Sequence, residues 1–111
     1  MLALDDLPAL RAQLAGVDAL IQCTSVGLHA GDPCSVPVEL LRPGLNVLDM
    51  IYRPTRLLTE APAHGCRVAD GRGMLLYQGV RSFEIWTGQP APVDVMRAAL
   101  AAALAPRPAA A

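Results

Sequence analysis

The sequence predicts an α/β fold built on a small parallel sheet, and three observations carry that prediction. Short, almost wholly apolar runs alternate with helical segments along the chain. The apolar runs are residues 18–23, 45–52 and 66–69, and strands that read as continuous apolar runs belong to sheets with both faces covered. Ten prolines and nine glycines are spread along the 111 residues, as the punctuation of short alternating elements.

Each element follows from its own residues. Asp5 or Asp6 caps a helix that runs through Leu14, with Pro8 in its first turn and Gly16 as its stop. Residues 18–23 form a buried strand that enters the polar turn Thr24-Ser25-Val26-Gly27. Residues 28–37 are rich in Gly, Pro and Asp and read as loop, and 38–41 add one helical turn before Pro43-Gly44. Residues 45–52 make a second strand, nearly all apolar, with Asp49 as its acid. Residues 55–63 form a crossover helix closed by Gly65. Pro62 sits late in that helix, where it removes a donor and clashes with the preceding turn, so the helix either bears the strain or ends near Glu60. A third strand spans 66–69, and helices 73–87 and 93–104 follow, separated by Pro90 and Pro92. Residues 105–111 are expected to be a disordered tail.

Composition excludes several classes of function. The chain is long enough for one domain at most. Its formal net charge is -1 with no acidic or basic block, so no nucleic-acid footprint is expected. Cys23, Cys34 and Cys66 are odd in number and lack a C-x-x-C pair, which reads as reduced thiols serving as small apolar residues in a cytoplasmic protein. Neither a signal-peptide pattern nor an apolar span of about 18 residues is present, so no membrane partner is expected. His29 and His64 lack metal-ligand spacing and no metal site is assigned. All nine basic residues are Arg; the chain contains no Lys.

Strand, helix, strand, helix, strand is the rhythm of a parallel sheet with right-handed crossovers. A complete doubly wound dinucleotide-binding domain has about six strands, with a G-x-G-x-x-G turn in its first half. Here Gly71-Arg72-Gly73 supplies two glycines, but Leu76 stands at the third position. The expectation is therefore the second half of a Rossmann-like doubly wound parallel sheet plus C-terminal helices, a partial domain over 1–104.

Four landmarks then resemble one family, in its order. Ile21-Gln22-Cys23-Thr24-Ser25-Val26-Gly27 is similar to an Asn-Ala-Thr-x-x-Gly turn, and Asp49-Met50-Ile51-Tyr52-Arg53-Pro54 to an Asp-x-x-Tyr-x-Pro strand end. Asp70-Gly71-Arg72-Gly73-Met74-Leu75-Leu76-Tyr77-Gln78 and the stretch 83–88 complete the set. From about Leu14 to Leu104 the chain resembles the C-terminal, NADP-side portion of shikimate dehydrogenases, which reduce 3-dehydroshikimate to shikimate in aromatic amino acid biosynthesis.

The resemblance implies roles. Thr24 and Ser25 would contact NADP where a strand end meets the cofactor crevice, although a Ser/Thr turn bonding its own backbone explains them as well. Met50 would pack on the nicotinamide side, and is otherwise core filler at a strand end. Tyr52 would direct its hydroxyl to the substrate, the plainer reading being a half-buried strand Tyr with another partner. Gly71 would let its backbone approach the nicotinamide carboxamide, or is a turn glycine. Met74 lies in the first helical turn near the ring. Gln78 one turn later would reach the substrate, although Gln78, Arg81 and Glu84 recur every three residues as a solvated stripe does. Asp49 and Asp70 read as structural acids bonding backbone at strand ends.

Departures and absences shape the functional expectation. Gln22 replaces the family's Asn with a longer side chain at a tight turn, the link between Pro54 and Leu57 is about two residues shorter than the resemblance implies, and Pro62 interrupts the crossover. In the family the catalytic Lys and its partner Asp belong to an N-terminal substrate domain, so no catalytic residue is assigned here. Arg cannot replace that Lys in proton transfer, because it stays protonated. Two readings remain: the C-terminal part of an NADP-dependent shikimate dehydrogenase (or a quinate/shikimate dehydrogenase fragment), recorded as a short, split or truncated chain, and a non-catalytic remnant or interaction module of the same fold. Either leaves a sheet edge and the apolar faces of Leu20/Ile21 and Val47/Ile51 uncovered, so the chain is expected to self-associate or to meet a separate N-terminal substrate domain. Alone it is expected to bind NADP weakly or not at all and not to turn over shikimate.

Overall fold

The structure is a computed structural model that describes residues 1–105. Helix α1 (Leu7–Ala15) is followed by strand β1 (Ala19–Gln22), a 3₁₀ turn (Val38–Leu40), β2 (Asn46–Asp49), α2 (Arg56–Glu60), a second 3₁₀ turn (Ala61–His64), β3 (Arg67–Ala69), α3 (Arg72–Thr87) and α4 (Val93–Leu104). Of the expected tail, Ala105 is extended, and 106–111 lie outside the described residues. The chain divides into two compact units, Met1–Gly71 and Arg72–Ala111.

In the first unit the three strands lie in the order β1-β2-β3, all parallel. Right-handed crossovers between strands added in one direction put every connection on the same face, and the core lies accordingly. One cluster of Leu41, Leu45, Val47, Leu57, Ala61 and Cys66 meets a second of Leu10, Leu14, Val36 and Leu40, with Val17 and Leu20 packed against both. Leu45 and Leu57 are 0% and 1% exposed, each burial contributing roughly 1.5–3 kcal/mol before entropy.

The opposite face is open. The register Ile21↔Leu48↔Ala69 places those residues together on it, and Ile21 is 55% exposed. The expectation of two covered faces is thereby corrected: no connection within this unit crosses to the second face. Nor do Val47 and Ile51 stand uncovered, being 2% and 5% exposed. Val47 pairs with Leu20 on the helix-covered side.

Local chemistry sets the element ends. The Asp6 side chain accepts from Ala9 N at 3.2 Å to cap α1, and Thr55 accepts from Leu58 N at 3.2 Å to cap α2. Helix α2 stops at Glu60, which leaves Pro62 near the start of a separate 3₁₀ turn where its missing N–H costs nothing. Strand β2 ends at Asp49 rather than at 52, because the Asp49 carboxylate takes the Ile51 N–H at 3.0 Å and draws the chain out of the ladder. Cys66 joins the core and Cys34 packs against it, but Cys23 is exposed, contrary to a small apolar role.

The second unit is a helix pair. Helix α3 has two buried residues, Leu76 and Val80 one turn apart, and α4 has none. A Cβ built on Gly79 would lie 3.4 Å from Met96 Cε, and Arg97 Nη2 donates to the Tyr77 hydroxyl at 3.0 Å, so the two helices pack directly.

Candidate functional site

Parallel strands end on one side of a sheet, and loops at their carboxyl ends form the ligand crevice of such folds. In the first unit the segments after β1, β2 and β3 carry Thr24 and Ser25, Met50 and Tyr52, and Gly71 respectively. These five residues therefore share one edge of the sheet. Met50 and Tyr52 stand beyond β2 and not within it, a correction that follows from the early end of the strand at Asp49.

A buried polar network builds this edge. Asp49 is wholly buried, and its carboxylate accepts from Gln22 Nε2 at 3.1 Å, Ile51 N at 3.0 Å and Thr55 Oγ1 at 2.7 Å. Each donor comes from a different segment: the end of β1, the exit from β2 and the cap of α2. Buried, an unpaired carboxylate is costly, whereas three donors satisfy it. The structural role expected for Asp49 is what its contacts describe.

Gln22, 4% exposed, divides its amide between Asp49 and the adjacent turn. Its Nε2 also donates to Val26 O at 3.2 Å, and its Oε1 accepts from both the backbone N–H and the hydroxyl of Thr24. The Thr24 hydroxyl in turn accepts from Val26 N at 3.2 Å. The longer side chain is thus no misfit, since it reaches Asp49, its register partner on β2. Gly27 closes the turn at φ +107°, with its would-be Cβ 2.9 Å from Thr55 Cγ2, a conformation and a space suited to glycine alone. Beyond it, Asp32 accepts from Gly27 N at 2.9 Å and His29 N at 3.1 Å. The His29 and Gly27 N–H groups hold the Asp32 carboxyl below its ordinary value of 3.8. Arg53 Nη1 donates to Leu28 O at 2.8 Å, tying the segment after β2 to the same loop.

Gly71 has a backbone partner of its own. Its N–H donates to Ile51 O at 3.1 Å, and a Cβ at this position would lie 2.1 Å from Met50 O and 2.5 Å from Met50 C. The close approach that demands glycine is thus made by the chain following β2, which needs no ligand to explain it. Tyr52 is 40% exposed.

The remaining two expected residues belong to the second unit. Met74 and Gln78 lie one turn apart on α3, Met74 48% exposed and Gln78 also exposed. Arg81 and Glu84, which continue the same spacing, pair with each other at 3.4 Å.

Sequence reasoning missed the Gln22–Asp49–Thr55 network as a unit. The signal was a polar residue closing each of two adjacent apolar strands, followed by a Thr in helix-cap position. The described residues contain no group of three His, Cys, Asp or Glu that could hold a metal, and none of their helices is long and apolar enough to cross a membrane.

Comparison with known proteins gives a consistent answer. The Shikimate 5'-dehydrogenase C-terminal domain family matches residues 71–101. The shikimate dehydrogenase (NADP(+)) of Halorubrum lacusprofundi is 50% identical over 103 residues, 91% of this chain and 36% of that protein. Among solved structures, shikimate 5-dehydrogenase from Listeria monocytogenes, in complex with shikimate and NAD, superposes with a TM-score of 0.78 at 37% identity, covering 87% of this chain and 35% of the other. Quinate dehydrogenase from Corynebacterium glutamicum, in complex with NAD, gives 0.77 at 30% identity, covering 86% and 34%. The chain spans little more than a third of the length of these relatives.

Proposed function

We propose that this chain, which belongs to the shikimate dehydrogenase family as its C-terminal, NADP-side portion, forms one wall of the active site of an NADP-dependent shikimate dehydrogenase. The observation that supports this most is the shared sheet edge: the segments after β1, β2 and β3 arrive there in the family's order, on a chain half identical to a curated enzyme over 91% of its length. When bound, the cofactor would supply redox chemistry: NADPH would give up a hydride for reduction of the 3-keto group, and NADP+ would accept one in the reverse direction.

The residues fit the nicotinamide end of that cofactor. Thr24 and Ser25 are exposed residues that bring hydroxyls to the strand end, and Met74 brings a soft thioether, its residue 48% exposed. They do not supply a pyrophosphate grip, because the glycine-rich turn that places phosphate on a helix N-terminus is not in this sequence. Met50 and Gly71 shape the edge through their backbone contact. Tyr52 and Gln78 offer a hydroxyl and an amide to a polyhydroxylated ring, groups that orient substrate without moving a proton. Proton transfer to the developing alkoxide needs a tunable acid, which the N-terminal substrate domain of the family would bring.

Quinate belongs to the same substrate class, and the likeness to a quinate dehydrogenase at 30% identity supports keeping both acids as candidates. The unpaired thiols support a cytoplasmic location. The open apolar face around Ile21 and Leu48 supports either self-association of the isolated chain or its burial against an N-terminal portion.

The test is a chimera in which this chain replaces the equivalent C-terminal third of the Listeria enzyme, assayed for reduced nicotinamide formation from shikimate with NADP and with NAD. The chimera is expected to turn over shikimate and the isolated chain is not. A folded chimera without activity would favour the non-catalytic remnant.

A further inference from the structure

The buried network at the sheet edge forms one continuous path. Leu58 N donates to Thr55 Oγ1, and Thr55 Oγ1 donates to Asp49 Oδ2. Gln22 Nε2 donates to Asp49 Oδ1, while Gln22 Oε1 accepts the Thr24 hydroxyl proton and Val26 N donates to that same hydroxyl oxygen. Chemistry fixes the direction of every link. A buried carboxylate beside three donors is acceptor-only, so Gln22 must turn its NH₂ toward it. The other end of the amide must then be oxygen, which matches its second partner, the Thr24 N–H. The single hydroxyl proton of Thr24 is thereby consumed, and one of its two lone pairs is taken by Val26 N.

We infer that Asp49 and Gln22 are positioning residues that fix the exposed Thr24 hydroxyl as a hydrogen-bond acceptor, able to receive an N–H or O–H of a nicotinamide nucleotide but not to donate to it. The cofactor half of this inference rests on the function proposed above. The network half stands on the contacts alone. Polarity at Thr24 is set through Gln22 by the Asp49 carboxylate, a group that touches no ligand. Ser25, exposed beside it, is left as the hydroxyl of this turn free to donate. A carboxamide NH₂ or a ribose hydroxyl meets the Thr24 acceptor; a phosphate oxygen, which offers no proton at neutral pH, is rejected there.

Two experiments separate the halves. The first is amide hydrogen exchange on the full 111-residue chain. In Asp49→Ala, protection is expected to fall by about 10-fold or more at Thr24, Val26 and Leu58 together, with β2 ladder amides retained. Asp49→Asn, which keeps an acceptor for Gln22 and Ile51, is expected to restore Thr24 and Val26. Loss confined to Ile51 would overturn the network. Should Asp49→Ala lose the ladder as well, Gln22→Met decides: protection lost at Thr24 and Val26 but kept at Ile51 supports the path, and unchanged Thr24 overturns it.

The second experiment measures steady-state kinetics in the Listeria chimera. Thr24→Val and Gln22→Met are each expected to raise the NADP KM about 5-fold with kcat nearly unchanged. If Gln22 acts through Thr24, the double variant is no worse than the poorer single one. Multiplied effects would overturn the positioning role. A Thr24→Val chimera with unaltered NADP KM would overturn the cofactor half while the exchange result still decides the network. An inactive chimera would instead count against the proposed function.

Discussion

The two units of this chain differ in where their stability comes from. The first, Met1–Gly71, closes its own core: two apolar clusters share Val17 and Leu20 on one face of the sheet, and a wholly buried Asp49 has three hydrogen-bond donors. The second, beginning at Arg72, has only Leu76 and Val80 buried in α3 and none in α4, while Ile85, Trp86 and Val95 stand 70%, 82% and 68% exposed. Large exposed apolar groups on a helix pair mark surfaces shaped for contact with something else. The contrast teaches that the first unit is a platform with a closed core on one sheet face and an open second face, whereas the second presents side chains on a scaffold that local packing does little to hold.

Core truncation should expose the contrast most strongly. Leu57→Ala in the 111-residue chain is expected to cost roughly 2–5 kcal/mol, the range for an enclosed Leu, whereas Trp86→Ala should stay within about 0.5 kcal/mol, as surface changes do. Denaturant titration of both variants checks this. A Trp86→Ala loss as large as that of Leu57→Ala would break the comparison.

The next effect sits at the boundary itself, at two glycines two positions apart. Gly71→Ala must push a Cβ into Met50 O, 2.1 Å away, and is expected to cost roughly 1–3 kcal/mol as the backbone shifts. Gly73 has nothing within 4 Å of its would-be Cβ and lies in the first turn of α3, so Gly73→Ala should stabilise by about 0.5–1 kcal/mol. Thermal unfolding of the pair would sharpen the comparison by showing that constraint ends where the first unit ends.

The smallest effect is acid sensitivity of the loop after β1. The Asp32 carboxyl is held below its ordinary 3.8. It therefore stabilises the loop fully above that unfolded value and loses its contribution as pH falls through the lower folded one. Asp32→Asn is expected to flatten stability against pH below about 4 and to leave the second unit's amides unchanged in hydrogen exchange. Equal flattening in Asp94→Asn, on the exposed surface of α4, would contradict it.

Much of this was legible in the sequence because it was local. The cap at Asp6, the stop of α2 at Glu60 ahead of Pro62, and the three apolar strand cores each follow from nearest neighbours along the chain. What escaped was set by partners distant in sequence. Asp49 shortens β2 through a side-chain bond to Ile51, and nothing in the run 45–52 distinguishes that from a longer strand. The open sheet face depends on all connections crossing the same side, a property of strand order rather than of any strand. Gln22 looked like a misfit because its partner lies 27 residues on. For the candidate site, sequence placed Thr24, Ser25, Met50, Tyr52 and Gly71 at strand ends, and the topology shows why those ends share an edge. It did not show that Met50 O itself requires glycine at 71.

The proposed function is tested most directly by Gln78, the substrate contact proposed on α3. In the Listeria chimera, the shikimate and NADP KM values of Gln78→Ala are measured against the parent. The shikimate KM is expected to rise about 10-fold or more, as when a hydrogen bond to a substrate hydroxyl is lost from a formed site, with the NADP KM within about twofold. A variant whose NADP KM rises as much as its shikimate KM, or whose two values both stay at the parent's, would contradict the assignment of Gln78 to the substrate.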